Sequence, residues 1–123
     1  MSITINILLV DDVEYSRELL RAALLVCIRE YKVEINANFF HSSTGKSIPE
    51  QIELNGINLV YLDIELPHTS GLDMMVVIVS GESSAENVTT AIKTGANGFI
   101  VKPFNSGRIL DSLQNYLNKA HQL

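Results

Sequence analysis

The chain has a single cysteine, Cys27, in 123 residues. No internal disulfide can form, which excludes a disulfide-stapled miniprotein and fits a reducing compartment. Cations are scarce too: nine Lys and Arg stand against fourteen Asp and Glu, for a net charge of −5. An acidic domain lacks the electrostatic footprint for nucleic acid or an anionic membrane surface, so neither is expected as a direct partner. Long apolar runs are missing. The longest, residues 22–28 and 74–79, fall far short of the ~18 residues of a membrane span. No basic residue precedes the first apolar stretch, which runs straight into Asp11 and Asp12, so no secretory signal is read. Repeats, low-complexity tracts and linkers are also lacking. The expectation is one soluble, cytoplasmic domain over residues 1–123.

What is present is 46% hydrophobic residues with only 19% charged, enough for a real core and too apolar for a disordered tail. Strand-like and helix-like segments alternate. Residues 3–10 (ITINILLV) are aliphatic and β-branched and end at two acids, a buried strand. Residues 14–31 place Leu19, Leu20, Ala23, Leu24, Cys27, Ile28 and Tyr31 on one helical face, with Glu14 spaced to pair with Arg17 and Arg21. Residues 33–40 alternate as an edge strand. Residues 46–54 form a short helix stopped by Asn55-Gly56. Strands over 57–63, 74–79 and 98–101 and helices over 85–94 and 106–119 complete the series. Apolar strands alternating with amphipathic helices predict a doubly wound parallel α/β sheet, covered on both faces.

In such sheets functional groups gather beyond the carboxyl ends of the strands. Those ends carry Asp11 and Asp12, then Asp63, Ser80 and Lys102. Taken singly, an Asp after a strand is a turn or cap residue, Ser80-Gly81 is a turn signal, and a Lys before Pro is a solvated charge. Taken together, they put three carboxylates, a hydroxyl and an ammonium on one edge. Clustered carboxylates repel unless a cation sits among them. Oxygen-only donors suit Mg²⁺. A carboxylate can attack phosphorus, while a cation, a Lys and a hydroxyl hold the phosphoryl oxygens.

The segments ILLVDD (7–12), LVYLDIELPHTSGL (59–72), VIVSG (77–81) and AIKTGANGFIVKPF (91–104) carry a resemblance. Through them nearly the whole chain resembles the receiver domain of bacterial two-component response regulators. The resemblance implies a flavodoxin-like five-stranded sheet of order 2-1-3-4-5. It implies Asp63 as phosphoacceptor, Asp12 as direct Mg²⁺ ligand, Asp11 as holder of a metal-bound water, and the Glu65 backbone carbonyl as a further ligand. Ser80 falls at the Ser/Thr switch position, Phe99 at the aromatic switch position, and Lys102 at the phosphate-contacting lysine. The Lys102-Pro103 bond is often cis in the family. A sensor histidine kinase or phosphotransfer protein would donate the phosphoryl group. The face made by the fourth helix, last strand and last helix would then change shape toward a downstream effector. No output domain is read in these residues.

One stretch departs from the family. Ser80 follows Gly71 by only nine positions, where the family carries a helix and a loop. About four helices rather than five are therefore expected. Parallel crossovers usually take a dozen or more residues. Residues 64–73 supply ten, which reach ~33 Å when extended, so an extended return is expected. A missing helix would leave an apolar patch over strands 59–62 and 75–79. Self-association or a partner protein would cover it, with Leu72, Met74 and Met75 as contacts, the alternative being closure by tilting of the flanking helices.

Two other readings compete. Gly45-Lys46-Ser47 follows a strand as in a P-loop, but the motif needs Gly where Phe40 stands. A pseudo-receiver, a binding or dimerisation module of the same fold that takes no phosphoryl group, usually lacks an acid or the Lys; this chain keeps them all. His41, His68 and His121 have no metal-ligand spacing, and Cys27 reads as a core residue.

Overall fold

The computed structural model describes residues 3–44, 48–63, 75–81, 97–102 and 105–121. In chain order these form β1 (Ile3–Val10), α1 (Glu14–Glu30), β2 (Ile35–Ser42), α2 (Ile48–Asn55), β3 (Leu59–Asp63), β4 (Met75–Ser80), β5 (Gly98–Val101) and α3 (Ser106–His121). The strands make one sheet in the order β2-β1-β3-β4-β5, and every adjacent pair is parallel. This is the doubly wound arrangement expected from the alternation. Three helices lie among the described residues; the one expected over 85–94 falls outside them. No helix among them is long and apolar enough to cross a membrane.

Strand side chains alternate between faces, and the core divides accordingly. On one face Ile7, Leu9, Leu59, Tyr61 and Val77 pack with Leu20 and Leu24 of α1 and Ile109 and Leu113 of α3. On the other, Leu8, Val10, Val60, Leu62 and Ile78 pack with Ile48 and Ile52 of α2 and with Ile57. The α1 face is narrower than its sequence promised. Leu20, Leu24 and Cys27 are buried, while Leu19 and Tyr31 stand exposed. Successive helical positions lie ~100° apart, so Leu19 and Leu20 cannot both look inward. Among the described residues neither Arg17 nor Arg21 pairs with Glu14. Arg17 turns to the Asp11 carbonyl, and Arg21 lies 5.6 Å over the Phe39 ring.

Two helix ends close in the same way. At α2, Ile57 N–H donates to the Ile52 carbonyl (3.2 Å) and Gly56 takes φ +59°. At α1, Val33 N–H donates to the Ile28 carbonyl (2.9 Å) and Lys32 N–H to that of Arg29, with Lys32 at φ 49°. Both are Schellman closures. The second occupies Lys32 and Val33, so β2 starts at Ile35, two residues later than its alternation predicts. The Asn6 side chain braces the α2 end by donating to the Asn55 and Gly56 carbonyls (2.9 and 3.2 Å).

Among the described residues, the strands expected to carry an open face beside the short crossover are largely buried. Every residue of β3 is buried, as are Met75, Val77, Ile78 and Val79 of β4. Ile48, Ile52 and Ile57 contribute to the cover over Val60, Leu62 and Ile78. Met75 points into the opposite core, against the α1 and α3 side, and is not a surface contact. Leu72, Met74 and the path of residues 64–74 lie outside the described residues. The β3–β4 register, Leu59 with Met75 through Asp63 with Val79, explains why a short return suffices. The chain must travel back only four residues of strand, roughly 13 Å.

Candidate functional site

The register brings the strand ends to one edge. Val10 lies beside both Ser42 and Leu62, Asp63 beside Val79, and Ser80 beside Val101. Asp11 continues directly from β1, Asp63 ends β3, and Lys102 follows β5. Carboxylate oxygens of Asp11, Asp12 and Asp63 all lie within 4.8 Å of one another. Asp11 and Asp63 are buried and Asp12 is exposed.

Asp11 is held from several sides. Its backbone N–H donates to the Ser42 carbonyl (3.1 Å). Its Oδ1 accepts from Val13 N–H (2.9 Å), which fixes the chain as it enters α1. Its Oδ2 accepts from Lys102 Nζ at 3.0 Å. Lys102 Nζ also stands 3.9 Å from Asp63 Oδ2. One ammonium thus sits between two buried carboxylates. Three carboxylates outnumber the Lys102 ammonium and the nearby Arg17 guanidinium, so the cluster keeps a net negative charge that favours a cation.

The donor set can be tested against Mg²⁺. It offers carboxylate oxygens alone, with no sulfur and no imidazole among the clustered groups. Such a set suits a hard cation, and Mg²⁺ commonly takes one or two carboxylates with water and a phosphate oxygen. The residues fit.

Asp11, Asp12, Asp63 and Lys102 are therefore brought together as expected. The Ser80 backbone is at the same edge, through its pairing with Val101. Phe99 is half-buried in β5 and packs against the core on the α2 side. Glu65, Pro103, His68 and the Gly45-Lys46-Ser47 stretch lie outside the described residues. His41 is exposed, and Cys27 is buried, which pushes its thiol pKa up.

Sequence reasoning missed Arg17. Its Nη1 donates to the Asp11 carbonyl, and its side chain lines a small cavity with Leu20, Tyr61, Asp63 and Lys102. Arg17 Nε is buried without a hydrogen-bond partner. The signal was there to read. Positions 17, 20, 24 and 27 share the helical period of the buried face, so a charge at 17 is a charge aimed inward.

A family model described as the response regulator receiver domain matches residues 7–114. Chemotaxis protein CheY of Bacillus subtilis is 27% identical over 124 residues, covering 92% of this chain and 98% of that protein. Regulatory protein LuxO of Vibrio cholerae is 24% identical over 113 residues; the match covers 83% of this chain and 25% of LuxO. Among solved structures, a CheY-like response regulator receiver domain protein from Methanospirillum hungatei aligns with a TM-score of 0.71 at 24% identity, covering 98% of both chains. The response regulatory domain of protein mrkE from Klebsiella pneumoniae aligns with a TM-score of 0.71 at 17% identity, covering 97% of this chain and all of that one.

Proposed function

Starting from the premise that this chain belongs to the response regulator receiver domain family, we propose that it accepts a phosphoryl group on Asp63 and relays that event through its surface. A receiver domain is a signalling module, and its counterpart in two-component signalling is a histidine kinase. The observation that carries the reading is the position of the Asp63 carboxylate. It ends the central strand within 4.8 Å of Asp11 and Asp12 oxygens and 3.9 Å from Lys102 Nζ.

The chemistry follows from those groups. An Asp63 oxygen attacks the phosphorus of a phosphohistidine on a sensor kinase or phosphotransfer protein. A P–O bond forms as the P–N bond breaks, and the electron pair leaves with the imidazole. Asp11, Asp12 and Asp63, with the Glu65 carbonyl, would hold Mg²⁺, which neutralises phosphoryl charge when bound. Lys102 is within reach to move from Asp11 to a phosphoryl oxygen. Arg17 and Val13 keep Asp11 in place. The Ser80 hydroxyl takes the role of a phosphoryl hydrogen-bond donor, and Phe99 that of the aromatic group that follows it. The coupled change in shape is a two-state element biased by local charge, read by a downstream effector or output domain.

Asp63→Asn is nearly isosteric and should keep the fold. Intact-mass spectrometry after incubation with acetyl phosphate and Mg²⁺ should show one phosphoryl adduct on the natural chain and none on the variant. An adduct of equal yield on the variant overturns the assignment. No adduct on a folded, Mg²⁺-supplied natural chain favours a pseudo-receiver.

A further inference from the structure

Among the described residues, exposed apolar surface is concentrated on one helix. Of eight exposed large hydrophobic side chains among the described residues, six belong to α1 and its flanking caps: Val13, Tyr15, Leu19, Leu25, Val26 and Tyr31. Tyr15 is 71% exposed, Leu19 45% and Val26 47%. With the exposed Ala22, positions 15, 19, 22 and 26 are spaced four, three and four apart. That spacing draws a straight seam along a helix. At ~100° per residue the seam lies opposite Leu20, Leu24 and Cys27, which face the core. An apolar stripe turned to water marks an interaction site.

The seam itself says what fits it. Reversed end to end, it is its own complement. Tyr15 meets Val26, Leu19 meets Ala22, and the same two layers recur in mirror order, so each larger side chain opposes a smaller one. A groove of about 540 Å³ opens between α1 and α3 at the Val26 end, lined by Ala22, Val26, Cys27, Tyr31, Ser106 and Ile109. It is where the reversed seam delivers a phenol ring. Charge agrees. α1 carries Glu14, Glu18 and Glu30 against Arg17, Arg21 and Arg29 and is neutral, while the whole chain is at −5. Two copies meeting on this helix bring no large excess of like charge together.

We propose that a second copy of this chain docks on α1 in an isologous antiparallel pair, with Tyr15 of each copy seated in the α1–α3 groove of the other. The 17 residues of α1 extend ~25 Å. One helix pair with two groove anchors buries less than the ~1,600 Å² of a standard interface. The association is therefore weak and concentration-dependent.

Sedimentation equilibrium across about 1 μM to 1 mM, the range of weak complexes, tests it. The natural chain should rise from monomer toward dimer mass. Leu19→Glu and Ala22→Lys each alter an exposed position, so both should keep the circular-dichroism melt of the natural chain, and each alone should weaken association at least tenfold. Mixed in equal amounts they should associate again, because one layer then sets the new carboxylate against the new ammonium. Tyr15→Ala should weaken association by loss of the groove anchor. A natural chain that stays monomeric over the whole range overturns the proposal. So does a dimer that both charged variants leave unchanged.

Discussion

A phenol at the centre of a sheet needs a partner. The Tyr61 hydroxyl has one in Ser112 Oγ at 2.7 Å, and that oxygen in turn donates to the Ile109 carbonyl at 2.7 Å. The chain of bonds ties β3 to α3. The two ends of it are unequal. Ser112→Ala strands a buried hydroxyl and should cost about 1–3 kcal/mol, whereas Tyr61→Phe leaves Ser112 its carbonyl and should cost about 1. Urea unfolding of the two variants checks the order. Burial holds the Tyr61 phenol protonated far above its ordinary value. An unfolded tyrosine ionises near ~10, so at higher pH only the unfolded chain releases this proton and stability falls. The loss approaches about 1.4 kcal/mol per pH unit from this group. Between about pH 9 and 11 the natural chain should lose more stability than Tyr61→Phe, since every other tyrosine contributes equally to both. The sequence announced Tyr61 as an apolar strand residue; it could not announce Ser112, which sits one position from Leu113 on a helix many residues away.

The two Schellman closures form a natural comparison between elements. Gly56 adopts its positive φ at no steric cost, while Lys32 pays for the same conformation with its Cβ. Lys32→Gly should raise stability by about 0.5–1 kcal/mol, and Gly56→Ala should lower it by about 1 or more. Chemical denaturation measures both. The contrast also explains which boundaries were readable. Asn55-Gly56 ended α2 on paper within a residue of its observed end. Nothing at Lys32 signals a turn, so the Val33, Ile35, Ala37 alternation started β2 too early. Arg17 is the same lesson at the other end of α1. Charge drew it to Glu14 on paper, and helical period drew it to Asp11 in the fold.

At the scale of the molecule, the site was legible because a parallel sheet sends all its strand ends the same way. Five apolar strands in sequence were enough to place Asp11, Asp12, Asp63 and Lys102 on one edge. Cover was not legible. Counting helices predicted an open face over β3 and β4, yet β3 and Met75, Val77, Ile78 and Val79 of β4 are buried, and three isoleucines from α2 and its exit contribute cover at Val60, Leu62 and Ile78. Among the described residues, most of the exposed large apolar side chains are on α1 and its caps instead. A pattern search scores a helix by its best face and is silent about a second one.

The ammonium between Asp11 and Asp63 makes the pocket a competition as well as a binding site. Lys102 is a tethered monovalent counter-ion, always present at high local concentration, and a soluble divalent ion gains on it only by bringing a second charge. Lys102→Met should therefore have two opposite effects. Without Mg²⁺ Asp11 and Asp63 lose the ammonium that stands between them, and the melting temperature should fall. With Mg²⁺ the rival is gone, so the metal should bind more tightly and restore proportionally more stability by mass action. Melting curves across a Mg²⁺ titration would read both effects, and a parallel, metal-independent drop would mean that the lysine guards packing rather than charge.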